Sequence, residues 1–424
     1  MQTMEWARKA REASYKLAAM DITQRNEALR GIQQALKKHA NEIFEQNALD
    51  ISQAQEENLA SPLLKRLKFD DRKLSDVLAG IDSLIALPDP LGRVSLAREL
   101  TPGLNLYRVS CPIGVIGVIF ESRPDALVQI AALCLKSGNA ALLKGGREAL
   151  RTNRALMAAM QEGTRVWLPD GWAALLETRD DVNDMLTQDD SIDLIIPRGS
   201  NAFVRYIMDH TRIPVMGHAE GLCHTYVDAS ADVNMAVKVT VDAKTQALAV
   251  CNATETLLVH RDIAEAFLPP CAEALKKKGV EIRGDERTRQ IISCLPASDQ
   301  DWETEYLDAV LSIKIVDSLE EAIAHINRYG SHHTDAILAR DEAAQKRFLA
   351  GVDSAGVYVN CSTRFADGFR YGFGAEVGIA TGKLHARGPV GLEGLCTYKY
   401  QLIGSGQTVQ ETVDGTIQYT HKDL

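Results

Sequence analysis

The chain has 424 residues, of which 46% are hydrophobic and 25% charged, and its net charge is −10. This length exceeds what one ordinary core accommodates, so we expect two or three domains. The negative charge and the lack of a basic run argue against nucleic acid as the main partner. No apolar run approaches the length of a membrane span, and the first residues lack the apolar core of a signal peptide. We therefore expect a cytoplasmic protein without a membrane anchor.

The cysteine spacing argues against both disulfides and a zinc site. Eight cysteines occur without a CxxC motif or any short spacing. In a large chain of intracellular type, this pattern favours reduced thiols. The histidines of "SHHTD" (331–335) do not change this expectation, because adjacent residues on an extended segment point to opposite faces. The sequence therefore predicts no metal ligand set.

The N-terminal part is predicted to be helical. Leu29, Ile32, Leu36 and Ile43 recur at helical spacing and predict one amphipathic helix with a polar outer face. A further helix is predicted over residues 72–87, where it ends at a Pro-Asp-Pro sequence. These helices precede the first predicted strands.

Strands and helices alternate after a predicted hairpin at residues 96–108. "VIGVIF" (115–120) has no polar alternation, which is typical of a strand buried on both faces of a parallel sheet. A helix at 125–139 and the strand "AALLK" (140–144) complete a βαβ unit of the right size. The pattern therefore predicts an α/β domain.

A second α/β series is predicted to begin past Cys251, and the boundary between the two series is placed near residue 240. Strands are predicted at 255–260 and 311–316. The helical region between them is predicted to be interrupted at its Pro-Pro pair. Two α/β halves indicate a nucleotide-type fold, although no GxGxxG sequence follows any strand.

Two loops of small residues follow predicted strands, "LLKGGRE" (142–148) and "PRGSN" (197–201). Each can present backbone N–H groups to an anion at a helix N-terminus. Either loop alone is more often only a turn. Cys251, in "KTQALAVCNATETLLVH" (244–260), is similarly ambiguous, because a lone cysteine is most often a small buried side chain.

Several motifs occur in the order found in the aldehyde dehydrogenase superfamily, and the chain is identified as a member of it. They are "PIGVIGVIFESRP", "SGNAALLKGG", "PRGSN", the cysteine segment, "EYLDAVLSIKIVDSLEEAIAHINRYGSHHTDAIL" and "FGAEVG". The chain most resembles the branch that reduces gamma-glutamyl phosphate in proline biosynthesis, over essentially its whole length. The resemblance implies an α/β fold with two Rossmann-like parallel-sheet domains of the aldehyde dehydrogenase type and a small β oligomerisation arm.

The resemblance also implies a division of the chain into domains. An NADP-binding domain, a catalytic domain with the nucleophilic cysteine, an oligomerisation arm and a return to the cofactor domain are expected. In that order, they span residues 1–91 and 112–240, residues 241–378, residues 92–111 and 396–424, and residues 379–395.

The implied reaction is the NADPH-dependent reduction of L-glutamate 5-phosphate (gamma-glutamyl phosphate) to L-glutamate 5-semialdehyde, with release of phosphate. Cys251 would attack the acyl carbon and form a thioester, which then accepts hydride. A thiolate suits this role, since it is a strong nucleophile and its thioester stays electrophilic. The backbone N–H of Cys251 and the side chain of Asn252 would stabilise the oxyanion.

The same resemblance implies NADP as the cofactor. Lys144 ends a strand where the superfamily's lysine meets the adenosine ribose, and Gly199 and Ser200 lie in its pyrophosphate-binding loop. Glu305 resembles the glutamate that holds the nicotinamide ribose. Arg147 stands where NAD-preferring relatives often have an acidic residue, and an arginine there favours the 2′-phosphate of NADP.

The resemblance also implies candidate substrate contacts and partners. Arg123 and Arg364 are candidates for binding the phosphate or carboxylate of the substrate, since a guanidinium matches either group bidentately. The hairpin and the C-terminal residues resemble an oligomerisation arm, which implies a homo-oligomer, either dimer or tetramer. The chain resembles the free-standing reductase, for which glutamate 5-kinase would be a channelling partner.

Two alternatives stay open. A hydrolytic NAD(P)-dependent semialdehyde dehydrogenase would use water where this chain would use phosphate. Such enzymes carry a water-activating glutamate upstream of the nucleophile, a place that falls near His218 here, with Glu220 as the nearest carboxylate. An inactive superfamily member could instead serve as an oligomeric structural protein. The presence of Cys251, Lys144 and Glu305 argues against that second alternative.

Overall fold

In a computed structural model of the chain, the structure describes residues 2–121, 123–199, 201–217, 221–373 and 376–424. Within these residues, the helices α1 to α15 are, in chain order, Gln2–Ala19, Ile22–Lys38, Ala40–Glu56, Ser61–Leu67, Asp71–Ala86, Pro124–Lys136, Leu150–Thr164, Arg179–Leu186, Asn201–Asp209, Val233–Thr245, Arg261–Lys277, Glu286–Ile291, Leu319–Tyr329, Glu342–Gly351 and Val409–Val413.

The strands β1 to β17 are, in chain order, Val94–Thr101, Leu104–Pro112, Val115–Ile119, Ala140–Lys144, Ala173–Leu176, Leu194–Pro197, Cys223–Val227, Thr254–His260, Glu281–Gly284, Leu295–Pro296, Val310–Val316, Thr334–Leu338, Gly356–Val359, Gly378–Ala380, Gly388–Val390, Cys396–Ile403 and Lys422–Asp423. In the part of the chain that the structure describes, no helix is both long and apolar enough to cross a membrane.

The N-terminal helices pack against the first parallel sheet and share its core. Leu29, Ile32, Leu36 and Ile43 are fully buried, as their spacing predicts. They lie on two helices, however, because α2 ends at Lys38 and α3 begins two residues later. The predicted amphipathic face is therefore confirmed, whereas the prediction of one continuous helix is wrong.

The first parallel sheet has the strand order β5-β4-β3-β6, and all of its pairs are parallel. β3, predicted as a doubly buried strand, is buried at every position. The chain passes from β3 through β4 to β5 on one side and then returns to β6 on the other side of β3. Ligands bind outside the carboxyl ends of strands at such a reversal. The crevice beyond β3 and β6 is therefore the expected cofactor position.

The second parallel sheet has the order β10-β9-β11-β8-β7-β12-β13 and begins earlier than predicted. Its first strand along the chain is β7, which precedes Cys251, so the expectation that this series begins past Cys251 is wrong. Because β7 carries polar residues, the sequence does not indicate that this strand is buried. His224 Nδ1 lies 3.0 Å from Asp335 Oδ1, and Thr225 Oγ1 lies 2.8 Å from Thr254 Oγ1. These pairs provide hydrogen-bond partners for His224 Nδ1 and Thr225 Oγ1 inside the sheet.

Two further predictions for this half concern the helix α11 and the domain limits. α11 continues through Pro269 and Pro270, so the predicted interruption there is wrong. Although β7 already lies in the second sheet, the domain limits given above, including the one at residue 240, stay predictions.

A small antiparallel sheet, with the order β16-β2-β1-β17, stands apart from the two parallel sheets. Its hairpin β1-β2 confirms the predicted one. β16 forms an edge and exposes Tyr398, Tyr400 and Leu402. Two parallel α/β sheets and a small β arm together form the predicted fold of the aldehyde dehydrogenase type.

Candidate active site

Cys251 lies just before β8 in the second α/β half, and it interacts electrostatically with Arg198, which follows β6 of the first half. The residue is half-buried. Its carbonyl oxygen accepts a hydrogen bond from Cys223 Sγ at 3.3 Å. Gly221, which precedes β7, packs directly against the backbone of Cys251. The nucleophile predicted from the sequence is therefore held on both sides by the start of the second sheet.

Burial, more than the neighbouring charges, keeps the thiol of Cys251 protonated. Burial, followed by Glu305 and Glu376, raises the pKa of Cys251 to about 12. The backbone N–H of Cys251 and the charge of Arg198 have the opposite, smaller effect and lower this pKa. Since a thiol is a weak nucleophile while it carries its proton, the attack must be accompanied by removal of that proton.

Asn252 connects the cysteine segment to a second loop. Its side-chain Nδ2 donates a hydrogen bond to Ala366 O at 2.8 Å, and its backbone carbonyl oxygen accepts one from Thr363 Oγ1 at 2.7 Å. Both bonds fix the loop at 363–366 beside Cys251. The predicted role of Asn252 in stabilising an oxyanion stays a prediction, since its amide binds this loop.

The two candidate substrate arginines differ in their surroundings. Arg364 is buried, and its Nε donates to Gln246 Oε1 at 2.9 Å. The pKa of Arg364 is lowered by burial first, and Cys251 acts in the opposite direction. Arg123 is more exposed, and its Nη2 lies 3.3 Å from Asp125 Oδ2 at the start of α6. Arg364 is thus the more firmly positioned of the two.

The candidate cofactor residues gather at the carboxyl ends of the first sheet. Lys144 ends β4, and its Nζ donates to Gly145 O at 2.7 Å. Burial lowers the pKa of this lysine. Gly199 follows β6, and a methyl group on it would lie 3.1 Å from the ring of Phe203. Arg147 begins a short turn before α7 and pairs across 3.2 Å with Glu57. Ser200 lies outside the described residues.

These residues fit a phosphorylated dinucleotide. A lysine at a strand end and an exposed arginine supply two cations at the edge where such ligands bind, and a glycine lets the backbone approach the ligand closely. Arg147 is 84% exposed on its side chain, so it can turn towards an added phosphate without leaving a buried pair. Such a ligand would lie across the crevice beyond β3 and β6.

Glu305 belongs to a segment that is fixed by a buried ion pair. Leu307 N donates to Glu255 Oε1 at 3.2 Å, and the other oxygen of Glu255 pairs with Lys244 Nζ. Lys244 and Glu255 are both fully buried. Because buried charges need such partners, this pair anchors the segment of Glu305 to the strand that follows Cys251.

Four features of the site are not indicated by the sequence: Arg198 and Glu376, which act on the thiol, Gln246, which binds Arg364, and the Lys244–Glu255 pair. Arg198 stands within "PRGSN" and Glu376 within "FGAEVG", next to residues that were singled out. A charged residue inside a glycine-rich motif was the available signal. Gln246 carried no such signal, and His218 to Glu220, the place of a hydrolytic base, lie outside the described residues.

Comparison with known proteins defines the class first. The sequence model described as "Aldehyde dehydrogenase family" matches residues 1–290. An acetylating aldehyde dehydrogenase from Geobacillus thermoglucosidasius shares the fold, with a TM-score of 0.64, 17% identity, and coverage of 96% of this chain and 98% of that one. The chain thus belongs to the aldehyde dehydrogenase family and has its fold.

Relatives with much higher identity narrow the assignment. Gamma-glutamyl phosphate reductase from Ruminiclostridium cellulolyticum is 60% identical over 413 residues, which cover 97% of this chain and 96% of the relative. The enzyme of that name from Acetivibrio thermocellus is 57% identical, with 100% and 99% covered. The crystal structure of the Thermotoga maritima protein has a TM-score of 0.94 and 41% identity, with 96% and 100% covered. The chain therefore belongs to the gamma-glutamyl phosphate reductases of the aldehyde dehydrogenase family, and it is an oxidoreductase.

Proposed function

We propose that this protein catalyses the NADPH-dependent reduction of L-glutamate 5-phosphate to L-glutamate 5-semialdehyde, with release of phosphate, as a step of proline biosynthesis. The observation that carries the proposal is the half-buried Cys251 of the second α/β half, which interacts electrostatically with Arg198 of the first half. Identity of 60% to a reductase of this name, over nearly the whole chain, supports the choice of substrate.

The first step forms a bond between the Sγ of Cys251 and the acyl carbon, and it breaks the bond from that carbon to the phosphate oxygen. The thiol proton leaves with the phosphate, so that a dianionic acyl phosphate gives a thioester and hydrogen phosphate. This transfer meets the need created by the raised pKa of Cys251, since the departing group itself takes the proton. NADPH, when bound, supplies the hydride that reduces the thioester to the semialdehyde.

The residues of the first sheet would hold the cofactor. Lys144 would bind the adenosine ribose, and Gly199 with Ser200 would face the pyrophosphate. Glu305 would hold the nicotinamide ribose, and its anchored segment supports this role. Arg147 would pair with the 2′-phosphate, which makes NADP the cofactor, because a guanidinium forms charge-assisted bonds to phosphate.

The partners of this function are proposed on chemical grounds. Arg123 and Arg364 would bind the substrate's anionic groups. A homo-oligomer would form through the small antiparallel sheet, whose edge strand exposes Tyr398 and Tyr400. Glutamate 5-kinase would pass on its product directly, because acyl phosphates hydrolyse in water. The cytoplasm is the compartment that fits these partners.

The test couples the protein to glutamate 5-kinase, with ATP and glutamate supplying the acyl phosphate. We expect one NADPH to be consumed for each semialdehyde formed, and no consumption when the kinase is left out. Semialdehyde is measured as its cyclised imine with an aromatic amine reagent. Formation of no semialdehyde, under conditions in which the kinase is shown to be active, would contradict the proposed function.

A further inference from the structure

Arg364 is a buried cation whose side chain has a neutral partner. Its exposed fraction is 9%, and its Nε donates to the amide oxygen of Gln246 at 2.9 Å. Among the described residues, no carboxylate lies within 4.0 Å of its nitrogens. The nearby carboxylate of Asp367 is 3.7 Å from Arg370 instead. Gln246 thus orients the guanidinium without neutralising its charge.

Two other buried cations of this chain differ from Arg364 in how the cost of burying their charge is reduced. Arg25 pairs with Asp89 Oδ2 at 2.7 Å. Lys136 has no carboxylate partner in the part of the chain that the structure describes, but a lysine can lose its proton, and burial lowers its pKa to about 8. An arginine keeps its charge at every physiological pH. Arg364 therefore holds a positive charge that a bound anion can compensate.

Arg364 is held in position by contacts with residues that precede and follow Cys251 in the sequence. Gln246 follows the last residue of α10 and lies five residues before Cys251. On the other side, Thr363 and Ala366 both form hydrogen bonds with Asn252, at 2.7 and 2.8 Å. The residue held between these contacts is Arg364. Its guanidinium therefore lies at the flank of the nucleophile.

The reaction places an anion at this flank. When the Sγ of Cys251 is in bonding distance of the acyl carbon, the phosphate on that carbon is only two bonds away. The substrate's α-carboxylate lies several bonds further along the chain. With Nε bound to Gln246, and with no hydrogen bond from either Nη group to the described residues, both Nη groups of Arg364 can bind oxygens of a phosphate bidentately.

We propose that Arg364 forms the subsite for the phosphate group that leaves, and that Gln246 is a positioning residue whose neutral amide sets the affinity of this subsite. The inference rests on the proposed function and adds to it which anionic group of the substrate Arg364 binds. It makes Gln246, which the sequence alone does not mark, a determinant of phosphate binding.

The test measures the reverse reaction, in which inorganic phosphate is a substrate. In Gln246→Glu, a carboxylate next to Arg364 competes with phosphate, so the KM for phosphate rises about tenfold or more, while the KM for the semialdehyde changes less than about twofold. Gln246→Ala, which only loosens the guanidinium, gives a smaller rise in the same constant. Gln55→Glu, the same chemical change at an exposed position of α3, leaves both constants unaltered.

A second readout does not depend on turnover. Inorganic phosphate slows the alkylation of Cys251 by iodoacetamide in the wild-type protein, and this protection is lost in Gln246→Glu and weakened in Arg364→Lys. Should the semialdehyde KM rise in Gln246→Glu while phosphate binding stays normal, Arg364 holds the carboxylate and the inference is overturned. Unchanged phosphate KM and protection in all variants also overturn it. If the wild-type protein itself shows no phosphate-dependent oxidation, the proposed function fails instead.

Discussion

Gly221 and Cys251 are in direct backbone contact. A methyl group built on Gly221 would lie 2.5 Å from both the Cα and the Cβ of Cys251. Side-chain carbons do not approach other atoms so closely, so any residue with a Cβ at position 221 must displace the nucleophile. Only glycine allows the start of β7 to support the thiol at this position.

Gly221→Ala is therefore expected to lower kcat strongly. A displacement of about 1 Å at the reacting atom lowers the rate on the order of a hundredfold. Gly80→Ala is the matched control, because a methyl group on Gly80 in α5 would meet nothing within 4 Å. Steady-state rates of both variants, with circular dichroism to confirm folding, provide the measurement. A Gly221→Ala variant that works at the wild-type rate would show that this contact does not position the nucleophile.

Cys251→Ala is expected to abolish hydride transfer and to leave the fold and the binding of NADP nearly unchanged. The change removes the atom that forms the thioester, whereas the candidate cofactor residues lie on the first sheet. Cys294→Ala changes another half-buried thiol and should keep full activity. NADPH oxidation and cofactor titration by fluorescence are the measurements. Retained reductase activity in Cys251→Ala would refute the covalent mechanism.

The raised pKa of Cys251 predicts its reactivity towards iodoacetamide as a function of pH. Below its pKa a thiol gains about tenfold in thiolate per pH unit, and an unperturbed cysteine levels off near pH 8.5. Since burial and the two glutamates raise the pKa of Cys251 to about 12, its alkylation should still increase between pH 8 and 9.5. Peptide mapping isolates this residue from the other thiols. A plateau below pH 8 would mean that the thiol is activated before any ligand binds.

Arg147→Glu is expected to weaken NADP binding and to shift preference towards NAD. Loss of one charge-assisted pair reduces binding by about 1.5–3 kcal/mol. The present partner of Arg147, Glu57, forms an exposed pair at 3.2 Å, so releasing the arginine costs little. Arg72→Glu, an exposed arginine of α5, is the control for the change in net charge. An unaltered ratio of NADP to NAD affinity would show that Arg147 does not contact the 2′-phosphate.

The sequence was informative where burial follows a simple pattern. β3 is an unbroken apolar run, and it lies in the sheet as predicted. β7 was missed because its His224 and Thr225 look polar, and their partners come from strands far along the chain. The Pro-Pro pair of α11 predicts a break, and that prediction is wrong, because the helix continues through it. Local patterns thus predict elements whose stability is local, and they miss those that depend on distant partners.

In the candidate active site, too, some residues could be predicted from the sequence, whereas contacts between distant residues could not. Cys251, Lys144 and Glu305 could be named because they stand in motifs of a known family. The bond from Arg364 to Gln246 joins residues 118 positions apart, so no spacing in the sequence indicates it. The buried pair of Lys244 and Glu255 could not be found from the sequence either, because the two residues are charged and resemble solvated surface groups.

The most direct test of the account is the oxidation of glutamate 5-semialdehyde by NADP, measured with and without inorganic phosphate. If the thioester on Cys251 is resolved by phosphate, NADPH should form beyond one equivalent per active site only when phosphate, or arsenate as its analogue, is present. The rate should rise with phosphate concentration to saturation. Rapid NADPH formation that continues over many turnovers in the absence of both anions would contradict the account and favour a hydrolytic dehydrogenase.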